Sequence, residues 1–235
     1  MLKRIVNQIP NTITLLNLLS GTVAIILSFN LQAETPMLRP LHWAFIAIAF
    51  AAIFDFCDGL SARLLKAYSD IGKELDSLSD LVSFGVAPGL LLYNSLLIAT
   101  NNHWVSYAAL MIPLFGAYRL AKFNVDTTQT TTFRGLPIPA NSIFWIGFIA
   151  WMVSNSYCPS VPVLIIIIFA VSSLMVSRMR MFSLKVKTLA WRENVSRYIL
   201  MAGAVLFVIF NGIAGFMWTI ILYILISATN QKRIH

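Results

Sequence analysis

The sequence predicts an all-α polytopic membrane protein of about eight transmembrane helices, with both termini in the cytoplasm. Three observations predict it. The first is composition: of 235 residues, 58% are hydrophobic and only 11% are charged, against about 45–50% and about 25% in ordinary globular chains. A soluble domain of this length has no interior large enough for so much apolar surface, which excludes a cytosolic globular protein, a disordered chain and a disulfide-stapled secreted scaffold. The second is the continuity of the apolar runs, where the strands of a membrane barrel would alternate with polar residues. The third is the distribution of basic residues, nearly all of which fall on one side once the runs are threaded through a bilayer.

A spanning helix needs about 20 mostly apolar residues. The runs that qualify cover 13–31, 41–62, 76–99, 104–123, 139–157, 161–178, 195–211 and 213–229. With Lys3 and Arg4 placed in the cytoplasm, this threading puts 16 of the 17 basic residues at the cytoplasmic face and leaves only Arg39 outside. Removing one span would scatter them to both sides. The same girdle accounts for the net charge of +8, because it faces anionic headgroups. No basic domain or aromatic platform stands outside the membrane, so no nucleic-acid partner is expected. The short polar stretch Met1–Pro10 and the run after it carry no signal-cleavage pattern. Cys57 and Cys158 thread to opposite faces and read as small core residues rather than a disulfide. The longest soluble stretches are 124–138 and 179–194, with no internal repeat, so a single domain over 1–235 is expected.

The acidic residues are concentrated. Of nine, six lie between positions 55 and 80, and four of these are Asp at helical spacing: Asp55 with Asp58, and Asp76 with Asp80. Residues three or four apart share a helix face. The first pair closes the second span, the second pair opens the third, and a short turn lets them meet at one depth. Ionisable groups at that depth cost about 2.5–3.5 kcal/mol each, and four carboxylates also repel one another. A divalent cation resolves both problems. Carboxylate-only ligation suits Mg²⁺, Mn²⁺ or Ca²⁺ rather than zinc, and two ions balance four charges best. Between the pairs, Gly59 and Ala62 leave room on the acidic face, and Arg63 offers a planar fork for phosphate. Gly72 lies one turn before Asp76. Metal, small residues and basic fork together describe a nucleotide-diphosphate site.

The pattern Asp55-x2-Asp58-Gly59-x2-Ala62-Arg63-x8-Gly72-x3-Asp76-x3-Asp80 resembles the signature of the CDP-alcohol phosphotransferase family, position for position. The resemblance implies a six-helix core over about 1–190 with two extra C-terminal spans over about 195–229. It implies transfer of a phosphatidyl group from a CDP-linked lipid to an alcohol, with release of CMP. It further implies that Asp55, Asp58 and Asp76 ligate Mg²⁺ or Mn²⁺, that Asp80 ligates a second ion and acts as general base, and that Gly59, Ala62, Arg63 and Gly72 line the CDP site. A homodimer is implied on the same ground.

Three further stretches resemble the branch of that family that uses serine: IPNTITLLNLLSG from Ile9, RLAKFN from Arg119 and GLPIPA from Gly135. Lys122 stands where that branch often has Arg, keeping the charge and losing the fork. Asn11 and Thr14 lie level with the acids, where they can bond nucleotide or ribose, or cap the helix. Arg119, Lys122 and Asn124 can hold a serine carboxylate or a lipid phosphate, or reach for headgroups. Pro137 and Pro139 make a rigid helix entrance. His42 and His103 thread to the outer face, far from the acids, and His235 lies in the tail, so none is expected to be the base. The basic stretch 178–192 reads as a topology signal and a contact for anionic lipid.

The expected activity is therefore phosphatidyl transfer from CDP-diacylglycerol to L-serine at the cytoplasmic face of a membrane, for which a bacterial inner membrane is the expected setting. Glycerol 3-phosphate or inositol phosphate as acceptor is the nearest rival, since the signature is shared. A divalent-cation transporter is a more distant one. It predicts acids through the full membrane depth, whereas eight of nine acids thread to one side, leaving only Glu34 outside.

Overall fold

The computed structural model describes residues 8–31, 40–125, 133–182 and 191–229. It is all-α apart from one short strand pair. The chain divides into two compact units, Met1–Leu120 and Ala121–His235. The first holds α1 (Ile9–Ser28), α2 (Pro40–Leu65) and α3 (Asp70–Asp80), which continues through a π-helical turn (Leu81–Val86) into α4 (Ala87–Ala99). A short α5 (His103–Ser106) and a 3₁₀ turn then lead into α6 (Met111–Val125), whose last residues belong to the second unit. The second unit holds β1 (Phe133–Arg134), α7 (Ile138–Ser154), α8 (Val161–Val176), β2 (Arg180–Met181), α9 (Trp191–Asn211) and α10 (Gly215–Thr229).

Among the described residues, four stretches are long and apolar enough to cross a membrane: Ile9–Ser28, Pro40–Leu65, Asp70–Ala99 and Asn194–Thr229. Helices α7 and α8 are shorter apolar helices. The last long stretch folds back on itself at Gly212, which has φ of 55°. Beyond that turn α10 packs against α9. Large apolar side chains lie open on the surface, including Leu64 at 74% and Phe210 at 80% exposure. A soluble monomer does not present such a surface at this extent; lipid covers it in an integral membrane protein.

Several helix starts differ from the sequence expectation, and two of them have a clear local reason. Helix α1 begins at Ile9 rather than 13 because Pro10 sits in its first turn, where a missing N–H costs nothing. Helix α3 begins at Asp70 rather than 76 because Ser69 caps it, accepting from the Gly72 N–H at 3.0 Å. The expected termini, the loop acids Glu34 and Asp126, and Lys185 and Lys187 lie outside the described residues.

In the first unit, α1 buries one face built from Pro10, Thr14, Asn17, Gly21, Ala24 and Ser28. The alternating spacing of four and three keeps them in line. These residues are small, so neighbouring backbones come close, as membrane helices require when no hydrophobic drive pulls them together. The facing residues of α2 include Ala44, Ala47 and Ala51. Helix α1 packs along α2 and also along α3, the π-turn and α4, which sets it beside both acid-bearing helices.

In the second unit, α7 packs on α10. The hydroxyl of Tyr223 donates to the Phe182 carbonyl at 2.9 Å. The antiparallel pair Phe133–Met181 and Arg134–Arg180 ties the segment before α7 to the one after α8, a feature not foreseen from sequence. Gly135 follows with φ of 78°, and a Cβ there would run into the Met175 carbonyl, so only glycine fits this turn. Pro137 and Pro139 then open α7, as the rigid entrance expected from sequence.

Candidate active site

The turn between α2 and α3 places the acids. Helix α2 ends with Lys66 in the left-handed region, at φ of 51°. The Ala67 N–H reaches back to the Ala62 carbonyl at 3.0 Å, and the Lys66 N–H to that of Arg63 at 3.4 Å. This is a Schellman closure made with lysine instead of glycine. Three residues later Ser69 starts α3. The reversal is thus hydrogen-bonded at both ends, and it returns the chain with Asp76 and Asp80 alongside Asp55.

One carboxylate oxygen from each of Asp55, Asp76 and Asp80 lies within 4.8 Å of the others. Asp58 stands outside that trio. It is only 5% exposed, and its Oδ2 is buried without a hydrogen-bond partner. Asp58 is buried and the trio half-buried, and carboxylates this close together and partly withdrawn from water need compensating positive charge. The donors are all hard oxygens, with no His or Cys in the group, and they stand close enough together that they could hold a metal ion. The residues therefore fit a hard divalent metal. Among the described residues no other group of three or more His, Cys, Asp or Glu comes together in this way.

Beside the trio lies a pocket of about 230 Å³. Pro10, Asn11 and Thr14 line it from α1, Asp58, Gly59 and Ala62 from α2, Ala67, Tyr68 and Ser69 from the turn, and Gly72, Lys73 and Asp76 from α3. Of the residues singled out in the sequence, the fold thus gathers Asn11, Thr14, Asp58, Gly59, Ala62, Gly72 and Asp76 around one space. A Cβ on Gly59 would meet nothing within 4 Å, whereas one on Gly72 would meet Asn11 Oδ1 and Ser69 Oγ at 3.0 Å each. Gly59 leaves room for a ligand; Gly72 leaves room for Asn11. The Thr14 hydroxyl donates to the Pro10 carbonyl at 3.0 Å, and Asn11 donates to Gln8 Oε1 at 3.1 Å.

Arg63 is not among the lining residues; its Nε donates to the Gly59 carbonyl at 2.9 Å, one turn back on α2. Arg119 and Asn124 are half-buried on α6 and Lys122 is exposed there, and none of the three lines this pocket.

Sequence reasoning passed over several residues that the fold brings in. Tyr68 and Ser69 line the pocket from the turn and Lys73 from α3, at positions the family pattern leaves unspecified. Asn17 is fully buried, and its Nδ2 donates to Asp80 Oδ1 at 3.4 Å. A polar amide in the middle of an apolar spanning run is itself a signal, and it was available in the sequence.

The geometry alone defines a membrane-embedded acidic site: a carboxylate trio that could hold a metal, near the facing ends of two spanning helices and next to a small pocket. The particular family follows from comparison. The chain matches the CDP-alcohol phosphatidyltransferase family over residues 7–172, and it belongs to that family. It is 40% identical over 133 residues to a CDP-diacylglycerol–serine O-phosphatidyltransferase of Bacillus subtilis, covering 57% of this chain and 70% of that protein. A protein of the same name from Methanocaldococcus jannaschii is 38% identical over 149 residues, 63% of each chain. An archaetidylserine synthase of Methanothermobacter thermautotrophicus is 34% identical over 166 residues, 67% of this chain and 66% of that one. Some of these matches span less than two thirds of the relative's own length.

Proposed function

We propose that this protein transfers the phosphatidyl group of CDP-diacylglycerol to the hydroxyl of L-serine, giving phosphatidylserine and CMP. The observation that carries the proposal is the joining of the Asp55–Asp76–Asp80 trio to a pocket lined by Asp58, Gly59, Ala62 and Gly72. The names of the relatives supply the acceptor. The pocket, at about 230 Å³, lies below the roughly 300–1,000 Å³ of ordinary small-molecule sites. It takes part of the polar CDP head and leaves the rest of the head outside it, with the acyl chains on the apolar helix surfaces.

Each residue has a part. Asp55, Asp58, Asp76 and Asp80 hold two divalent ions, Mg²⁺ or Mn²⁺. Bound there, the ions neutralise charge on the diphosphate and on the leaving CMP. Gly59 and Ala62 admit the nucleotide to the backbone of α2, with Asn11, Thr14 and Gly72 on the opposite wall. Arg63 swings from the Gly59 carbonyl to the diphosphate. Asp80, the deepest of the acids along α3, takes the proton of the attacking hydroxyl. Arg119, Lys122 and Asn124 hold the serine carboxylate or the lipid phosphate. The chain works as a single integral-membrane domain of eight spans and as a homodimer, with the site at the cytoplasmic face.

The test is an acceptor panel on purified protein. CDP-diacylglycerol is offered with serine, glycerol 3-phosphate or inositol phosphate, with Mg²⁺ and Mn²⁺ in parallel, and CMP is measured. Release with serine alone is expected. Release only with another alcohol would overturn the choice of acceptor, and metal flux into liposomes without CMP release would overturn the enzyme.

A further inference from the structure

We infer that Asn17 is a positioning residue for Asp80, an inference that rests on the proposed role of Asp80 as the base. Asn17 sits midway along the buried face of α1 and has no solvent exposure. Its Nδ2 donates to Asp80 Oδ1 at 3.4 Å. Its backbone carbonyl accepts from the Ser83 hydroxyl at 3.0 Å. Asn17 is therefore tied at two points, its side chain to Asp80 at the end of α3 and its backbone to Ser83 in the π-helical turn that follows.

The segment that carries Ser83 is unusual. Leu81–Val86 is π-helical, and the Ala87 N–H reaches the Val82 carbonyl, five residues back. Pro88 follows directly, and in a regular helix its ring would crowd the Phe84 carbonyl. The wide turn absorbs that conflict, and π-turns of this kind recur at functional sites. It also brings Ser83 against α1: a Cβ on Gly21 would overlap Ser83 Oγ and lie 2.6 Å from its Cα. Gly21 and Ser83 together fix the height of Asp80 relative to Asn17.

Structure alone gives Asn17 little reason to be polar. Its Oδ1 is buried and has no hydrogen-bond partner. Leaving a buried acceptor unpaired destabilises the fold, a cost that an apolar side chain of the same size avoids. Among the described residues, the one side-chain bond that Asn17 makes goes to Asp80. A donor there keeps one carboxylate oxygen turned toward α1, so that the other faces the trio and the incoming hydroxyl. The orientation of the amide is set by the same contact, since its oxygen cannot face an anionic oxygen.

Two effects follow for Asn17→Leu. The protein still folds, with a thermal transition in detergent close to that of the wild type, because the unpaired Asn17 oxygen is removed while Asp80 Oδ1 loses its donor. Turnover with CDP-diacylglycerol and serine falls by about 100-fold, the scale expected when a catalytic group is held about 1 Å out of place. The KM for CDP-diacylglycerol stays unchanged, because the amide does not line the nucleotide pocket. Asn17→Ala, which extends the small-residue face of α1, is the second variant and loses turnover in the same way.

The inference is overturned if either variant, folded by its thermal transition, retains kcat within about threefold of wild type. It is overturned equally if the loss lies in KM for the CDP-lipid instead of kcat. Wild-type protein run alongside separates the two levels. If the wild type itself releases no CMP with serine, the functional proposal fails; if it does and the variants match it, only the role of Asn17 fails.

Discussion

Asp58 and Asp80 carry the same charge in different surroundings. Asp58 lines the pocket, and its Oδ2 lacks any partner, so a neutral side chain of the same shape removes its charge without opening a cavity. Asp80 accepts from Asn17 and stands in the trio. Asp58→Asn is expected to abolish CMP release and to weaken Mn²⁺ binding, measured by titration of the purified protein. Asp80→Ala is expected to abolish CMP release as well, while CMP with metal still raises the thermal midpoint, because the pocket walls remain. A variant of either kind with turnover near wild type would remove that residue from the proposed machinery. The acids were legible in the sequence because charge is scarce in this chain and spacing alone puts each pair on one face. What spacing could not show is that Asp58 stands apart from the other three; that depends on how far α2 and α3 splay beyond their turn.

Elements were legible wherever a cap or a long apolar run marked them, and obscure where backbone contact decides. The π-turn after Asp80 has no pattern of its own; Pro88 hints at a disturbance without saying whether the helix bends, breaks or widens. The strand pair joining Phe133–Arg134 to Arg180–Met181 is too short to show an alternation. The close approach of α1 to the π-turn is similarly hidden, because a lone glycine in a membrane run fits many interfaces. Its physical consequence is clear: a methyl group on Gly21 would overlap Ser83 Oγ and crowd its Cα and Cβ, at 2.6 and 2.8 Å. Neither backbone can yield without moving Asp80. Gly21→Ala is expected to destabilise the protein by about 1–3 kcal/mol, the range for overpacking a tight interface. The measurement is thermal or denaturant unfolding in detergent, with Ala24→Gly on the same face as a control that opens space instead. Unchanged stability in Gly21→Ala would mean that α1 and the π-turn are held less closely than the geometry requires.

Across the whole molecule, charge scarcity becomes a statement about direction. The lipid substrate proposed here reaches the site from within the bilayer, and the alcohol reaches it from water, so the acids must open to one aqueous face. The proposed orientation puts that face in the cytoplasm, because basic residues flank the acids in sequence at Arg63, Lys66 and Lys73, and such residues near span ends are retained inside. Glu74 offers a direct probe. It is exposed on α3, one turn before Leu78 and on the helix that opens the pocket. With Cys57 and Cys158 replaced by Ser, Glu74→Cys should react with a membrane-impermeant maleimide in inverted membrane vesicles and stay unmodified in intact cells. CMP at saturating concentration should slow the reaction, since Lys73 beside it lines the pocket. Labelling of intact cells would reverse the orientation and place serine entry on the outer face. Labelling from both sides would mean that the α2–α3 turn lies in a water-filled path through the membrane, which is the arrangement a cation transporter needs and a phosphatidyl transferase does not.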